Sequence, residues 1–144
     1  MAYDHTKYEV DLGILDLTST GDKATWGPGL VPHIVRAVSI VIDATPGDAG
    51  VVKGDLRPTR DSDTSRTDGT VFTINLATSH TFTAGTGPKV VYHVPSSPVK
   101  VLPGQEVVIE VTDASASVDE ARVCLLVEPS WDQPGNITGM VATA

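Results

Sequence analysis

A single cysteine, Cys124, in a chain of 144 residues excludes an internal disulfide framework and leaves the redox compartment open. It falls in an apolar run without a neighbouring histidine, so it is expected to pack in the core as a small hydrophobe. Aromatic residues make up only 5% of the chain, which leaves little ring surface for stacking on sugars or bases. Basic residues are also in deficit. Residues 1 to 60 hold six Lys and Arg against eight Asp and Glu, residues 61 to 144 four against ten, and the formal charge is −8. Phosphate binding draws on clustered Lys and Arg, so nucleic acid is not an expected partner. No apolar run approaches the roughly 20 residues needed to cross a bilayer. Met1-Ala2-Tyr3-Asp4-His5 has neither the basic start nor the apolar stretch of a secretory signal. A soluble product of cytoplasmic synthesis, with no membrane partner, is therefore expected. In that setting the glycosylation pattern Asn136-Ile137-Thr138 reads as accidental.

The residue patterns that carry chemistry are missing as well. His5, His33, His80 and His93 are scattered, without the His-x-His or His-Glu-x-x-His spacing that grips a metal from one element. There is no Gly-x-Ser-x-Gly elbow and no Gly-rich phosphate loop. We expect no catalytic residues, no cofactor and no metal, although a site assembled from dispersed residues is beyond the reach of sequence.

What the chain does contain is strand after strand. At 144 residues, 40% of them hydrophobic, it has the size and composition of one domain able to bury its own core. At least eight β-type runs are separated by turns rich in Pro, Gly and Asp. Tyr8 to Leu17 alternates, with Val10, Leu12 and Ile14 on one side. Thr18 to Pro32 gathers three glycines and two prolines around Trp26 and reads as a long loop. Ile34 to Ile42 divides into Ile34, Val38, Ile40 and Ile42 against Val35, Ala37, Ser39 and Val41. Both faces are largely apolar, as in a central strand or one at an interface. Val51 to Arg57 and Thr70 to Leu76 form a hairpin with a long polar tip. Lys89 to Val94, a short proline-interrupted segment through Val101 confined to an edge, Glu106 to Thr112 and Ala121 to Val127 complete the set. The expected fold is all-β: one β-sandwich spanning residues 1 to 144, jelly-roll-like, with long Pro/Gly-rich loops. Residues 1 to 7 and 137 to 144 are candidate extended contact arms.

Three polar or aromatic features invite a functional reading. The segment Asp61 to Gly69 alternates oxygen ligands as calcium loops do, with Asp61, Asp63 and Asp68 as the candidate ligands. Arg66 and Phe72, however, occupy the sixth and twelfth positions, where an EF-hand needs Gly and Glu, so a solvated hairpin tip is the simpler reading. Glu106 and Glu110 share one side of a strand, but four residues separate them by about 13 Å, beyond the span of a glycosidase carboxylate pair. They mark the solvent side. Trp26 and Trp131 both stand in Pro/Gly-rich loops, where a tryptophan serves as a sugar platform or as an anchor to the core or to a neighbouring subunit.

Three segments together carry a family likeness. They are Gly29-Leu30-Val31-Pro32-His33, Val101-Leu102-Pro103-Gly104-Gln105-Glu106-Val107, and Val127-Glu128-Pro129-Ser130-Trp131-Asp132-Gln133-Pro134-Gly135-Asn136. In these the chain resembles the small β-sandwich proteins that decorate or cement the capsids of tailed bacteriophages. The motifs are turn-and-strand patterns, so the resemblance carries over no contact residue. It implies a non-enzymatic viral structural protein on the outer capsid surface of the virion, made in the host bacterial cytoplasm. Its partner would be the major capsid protein, and it would act as a homo-oligomer, with a trimer as the suggested count. An acidic chain suits the outer face, away from the packaged genome. Loop and tail residues Trp26, Trp131, Ile137, Met140 and Val141 are the candidate contacts. A carbohydrate-binding or adhesin-like head domain displayed on the virion is the alternative.

Overall fold

The computed structural model describes residues 6–42, 50–59, 67–76, 89–115 and 118–130. These residues form strands and connections without a helix. The strands are Tyr8–Asp16 (β1), Gly21–Trp26 (β2), His33–Ile42 (β3), Val51–Pro58 (β4), Gly69–Asn75 (β5), Lys89–His93 (β6), Lys100–Val101 (β7), Gln105–Asp113 (β8) and Glu120–Pro129 (β9). Every pairing is antiparallel. One sheet has the order β1-β9-β3-β6, with β7 also on β3, and the other the order β2-β8-β4-β5.

The two sheets pack face to face as a β-sandwich. From the first sheet Leu15, Val35, Val38, Ile40, Ile42, Val91, Val123, Leu125 and Val127 point into a shared core. Val52, Leu56, Phe72, Ile74, Val107, Ile109 and Val111 meet them from the second. Burying a side chain of this size stabilises the fold by roughly 1.5–3 kcal/mol before conformational entropy is charged against it. β3, read from its two-sided apolar pattern as a central strand, does lie inside its sheet, with β9 on one flank and β6 and β7 on the other. β4 and β5 form the expected hairpin, and among the described residues β7 pairs only with β3.

Three expectations need correction, and local backbone geometry accounts for each. The segment read as a long loop contains β2, whose Ala24 and Trp26 pack against the core, so turn residues flank a strand here and do not replace it. In β1 the register against β9 shifts between Asp11 and Ile14, around Gly13 with φ of 81°. An extra residue at a β-bulge moves every later side chain to the opposite face. Ile14 is accordingly 60% exposed, while Leu15 and Leu17 are buried. β3 carries a similar shift between Val35 and Ala37. Val35 and Ala37 therefore join Val38, Ile40 and Ile42 in being buried, whereas Ile34 is only half-buried.

Gly54 of β4 faces Phe72 of β5 across the ladder, and the Phe72 ring lies where a Cβ on Gly54 would stand. The contact is possible only for glycine, and it seats the Phe72 ring in the core. Gly54→Ala is expected to overpack this site and lower stability by about 1–3 kcal/mol, measured by urea unfolding. Adding Phe72→Leu should return part of the loss. An unchanged unfolding midpoint in the single variant would show that the ring can move aside at no cost.

Candidate interaction surface

Antiparallel pairing brings several chain segments to one end of the sandwich. β1 begins there with Tyr8 opposite Val127, β9 ends there with Pro129 opposite His33, and β2 ends there with Trp26 opposite Val107. The loop Gly27–Pro32 and the turn Leu102–Gln105 close the same end. Ser130, whose N–H donates to the Pro32 carbonyl at 2.8 Å, is where the described chain leaves it.

At the centre of this end lies His33, buried between two rings. Tyr8 and Trp26 both stand edge-on to it, at centroid distances of 5.6 Å and 5.5 Å. Its Nδ1 is 2.7 Å from the Val31 carbonyl oxygen, which can only accept, so Nδ1 carries the proton. Nε2 lies 2.7 Å from the Tyr8 hydroxyl, which donates to it in the Nδ1-protonated tautomer. Burial pushes the Tyr8 phenol up, which keeps it a donor. Both nitrogens of His33 are thus committed to holding β1 and the Gly27–Pro32 loop together. Trp26 is half-buried and packed against the core, the posture of an anchor. Beside it Leu30 is 94% exposed at the tip of its loop.

The outer face of the second sheet is a different surface. Asp22 of β2 and Glu110 of β8 stand directly opposite each other, a like-charge pair that would repel. Arg57 of β4 resolves it: its guanidinium grips both oxygens of Asp22 at 2.8 and 3.2 Å and reaches Glu110 at 3.4 Å. Its Nε also donates to Asp55 at 3.1 Å. The Thr67 hydroxyl at 2.9 Å and the Lys53 ammonium at 3.4 Å complete the shell around Asp55, which is buried. Burial acts to raise the Asp55 carboxyl, but Thr67, Arg57 and Lys53 together outweigh it and hold it below the ordinary carboxylate range.

On the outer face of the first sheet, ion pairs cover the β1, β9 and β3 side, with Arg122 to Asp11 at 3.2 Å and Arg36 to Glu128 at 2.6 Å. Cys124 lies among them, half-buried opposite Asp11 and Ser39, and not in the core as expected. Desolvation, then the Asp11 and Glu9 carboxylates, push its thiol up, so it is a poor nucleophile. Past β3, the outward side chains of β6 are apolar. Val90, Tyr92 and Val94 are 65%, 57% and 59% exposed along β6 and its extension. An open depression of about 340 Å³ adjoins them, lined by Thr70, Val71, Phe72, His93, Val94, Pro95, Ser96 and Ser97.

Of the residues singled out from sequence, Trp26 is placed as above, while Trp131, Ile137, Met140 and Val141 lie outside the described residues. So do Asp61 and Asp63. Asp68 accepts a hydrogen bond from the Gln105 amide at 3.0 Å. Among the described residues no three His, Cys, Asp or Glu side chains converge as metal ligands, and no helix is long and apolar enough to cross a membrane. Leu30, Val90, Tyr92 and Val94 were not singled out, because an exposed apolar residue looks like a core residue until its neighbours are known. Comparisons with protein-family models, curated proteins and solved structures return no match for this chain.

A carboxyl held lower in the folded chain than in the unfolded one stabilises fully above its unfolded value, about 3.9. That contribution disappears as pH falls through the folded value. Asp55→Asn should therefore be less stable than wild type at pH 7, with the gap narrowing below about pH 3.9. Urea midpoints at pH 7 and pH 3 test this, and a gap of equal size at both would remove Asp55 from the acid response. Tyr8→Phe, which strands the Nε2 of buried His33, should cost about 1–3 kcal/mol at pH 7 in the same assay.

Proposed function

We propose that this chain is a non-enzymatic structural protein that binds the outer surface of a tailed-phage capsid and stabilises it. The observation that carries the reading is the convergence of the candidate contact segments on one end of the sandwich. Trp26, the exposed Leu30 and the strand ends from which both candidate arms depart lie there together. A rigid sheet scaffold whose first and last described strand ends lie together suits a protein that spans a joint between shell subunits. The arms themselves, residues 1 to 7 and 137 to 144, supply reach, and Ile137, Met140 and Val141 supply apolar contacts.

The strand order supports a jelly-roll reading of the sandwich. β1 pairs with β9, β2 with β8, β3 with β6 and β4 with β5, so the first four strands meet the last in reverse order. Rolling such a long nested hairpin places alternate pairs in opposite sheets, and the β9–β3 and β8–β4 contacts then close each sheet. Jelly rolls serve in viral capsids and in lectins, so the fold is compatible with the proposal and does not decide it. The commitment of His33, Asp55 and Arg57 to holding strands together also favours a scaffold. A cement protein of this kind acts by mass action, binding the assembled lattice and not the free subunits.

Co-sedimentation with stripped tailed-phage capsids tests the reading. Saturable binding at a fixed copy ratio is expected. Leu30→Asp, and deletion of residues 137 to 144, should each weaken it at least about tenfold, the size of a central interface contact. Binding unchanged in both variants would remove this end of the sandwich from the interface. No binding by the wild-type chain, together with a saturable tryptophan fluorescence response to a glycan panel, would replace the proposal with carbohydrate recognition.

A further inference from the structure

β6 is the last strand of its sheet among the described residues, pairing only with β3. Its register runs without a shift from Val38 opposite His93 to Ile42 opposite Lys89. A regular edge strand presents unpaired N–H and C=O groups, and proteins ordinarily blunt such an edge with a bulge, an internal proline or charged side chains. β6 has no bulge, and its outer face carries Val90, Tyr92 and, one residue on, Val94, all more than half exposed. In a chain of charge −8, the stretch Lys89-Val90-Val91-Tyr92-His93-Val94-Pro95 contains no carboxylate. It is a place where two acidic molecules can meet without repulsion.

The outer side chains are also symmetric about Tyr92, reading Val, Tyr, Val. We propose that β6 pairs antiparallel with β6 of a second copy of this chain, across a two-fold axis at Tyr92. In that register Tyr92 faces the second Tyr92, and each Val90 faces the Val94 of the other copy. Three apolar pairs then line one face, with no like-charge pair among the residues brought opposite one another. Lys89 falls opposite Pro95, whose missing N–H ends the ladder. Slipping the register by one residue would set the exposed outer side chains against inner positions such as the buried Val91, and slipping it by two would set Val94 opposite Pro88 or Val90 opposite Ser96, so only the Tyr92 centre keeps all three apolar pairs. The inference does not rest on capsid binding, and its test needs only purified protein, so the two proposals can fail separately.

Sedimentation velocity over a concentration series is expected to show a species of about 30 kDa, twice the 15.1 kDa chain. Tyr92→Lys sets two ammonium groups face to face at the axis while reducing the overall negative charge. It should return the protein to monomer with its circular dichroism spectrum retained. If that variant does not fold, cysteine crosslinking decides. In a Cys124→Ser background, Tyr92→Cys should form an oxidised dimer, because opposed strand positions lie within disulfide reach. Val90→Cys alone should not, since the two copies of position 90 are offset by four residues, about 13 Å. Val90→Cys mixed with Val94→Cys should crosslink. The proposal is overturned by a wild-type monomer at every concentration, by a dimer indifferent to Tyr92→Lys, or by self-crosslinking of Val90→Cys equal to that of Tyr92→Cys. It is also overturned if the chain dimerises only once residues 131 to 144 are deleted, which would assign this edge to the chain's own C-terminal segment.

Discussion

One apolar face from each sheet must be buried against the other, and five of the described strands are slipped in register to satisfy that requirement. A sandwich has no other source of cohesion comparable in size, because hydrogen bonds within each sheet largely replace bonds to water. The register shifts that place an extra residue in β1, β2, β3, β5 and β8 are the visible consequence. At each, one residue is surrendered from the ladder so that the side chains beyond it return to the core. In β1 the residue pattern after Gly13 would otherwise send Leu15 and Leu17 into water. Exposure of Ile14 is what that adjustment costs.

The same shifts explain which parts of the fold were legible in the sequence. Strand existence was readable wherever β-branched residues cluster between turn signals, as in β3, β8 and β9. Facing was readable only up to the first bulge, since a period of two carries no memory across an inserted residue. For β8, which is regular on its inner side, the assignment of Val107, Ile109 and Val111 to one face holds throughout. β2 escaped notice for a different reason: Ala24 and Trp26 are two core contacts set between glycines, too few to make a pattern. The placement of Cys124 followed its apolar neighbours in sequence, but the adjacent strands put Asp11 and Ser39 beside it.

Polar chemistry in the described part of the molecule is mostly spent on holding strands together. Arg57 ties three strands by neutralising a repulsion between Asp22 and Glu110 that the sheet itself creates. His33 and Tyr8 do comparable work at the open end. Sequence could not reveal these groupings, because Asp22, the Asp55 and Arg57 pair, and Glu110 are far apart in the chain and no spacing rule links them. It is the apolar side chains left in water, not the charged ones, that remain to be explained by a partner. Apart from Ile14 beyond the β1 bulge, the most exposed fall in two places, the end bearing Leu30 and the flank bearing Val90, Tyr92 and Val94.

Those two surfaces are geometrically linked. Two antiparallel strands across an edge reverse the direction of the sandwiches that carry them, so a dimer built on β6 would point its two Leu30 ends in opposite directions. Only one end of such a pair could rest on a shell, and the other would face away from it. A chain that used both surfaces at once would therefore occupy a lattice with two copies for each seated end, whereas a chain that seated every copy would have to leave β6 unpaired. Under the proposed function, the ratio of bound chain to shell sites would be set by whether the flank and the end act together or in competition. That coupling follows from strand direction alone, whatever the affinity of either surface.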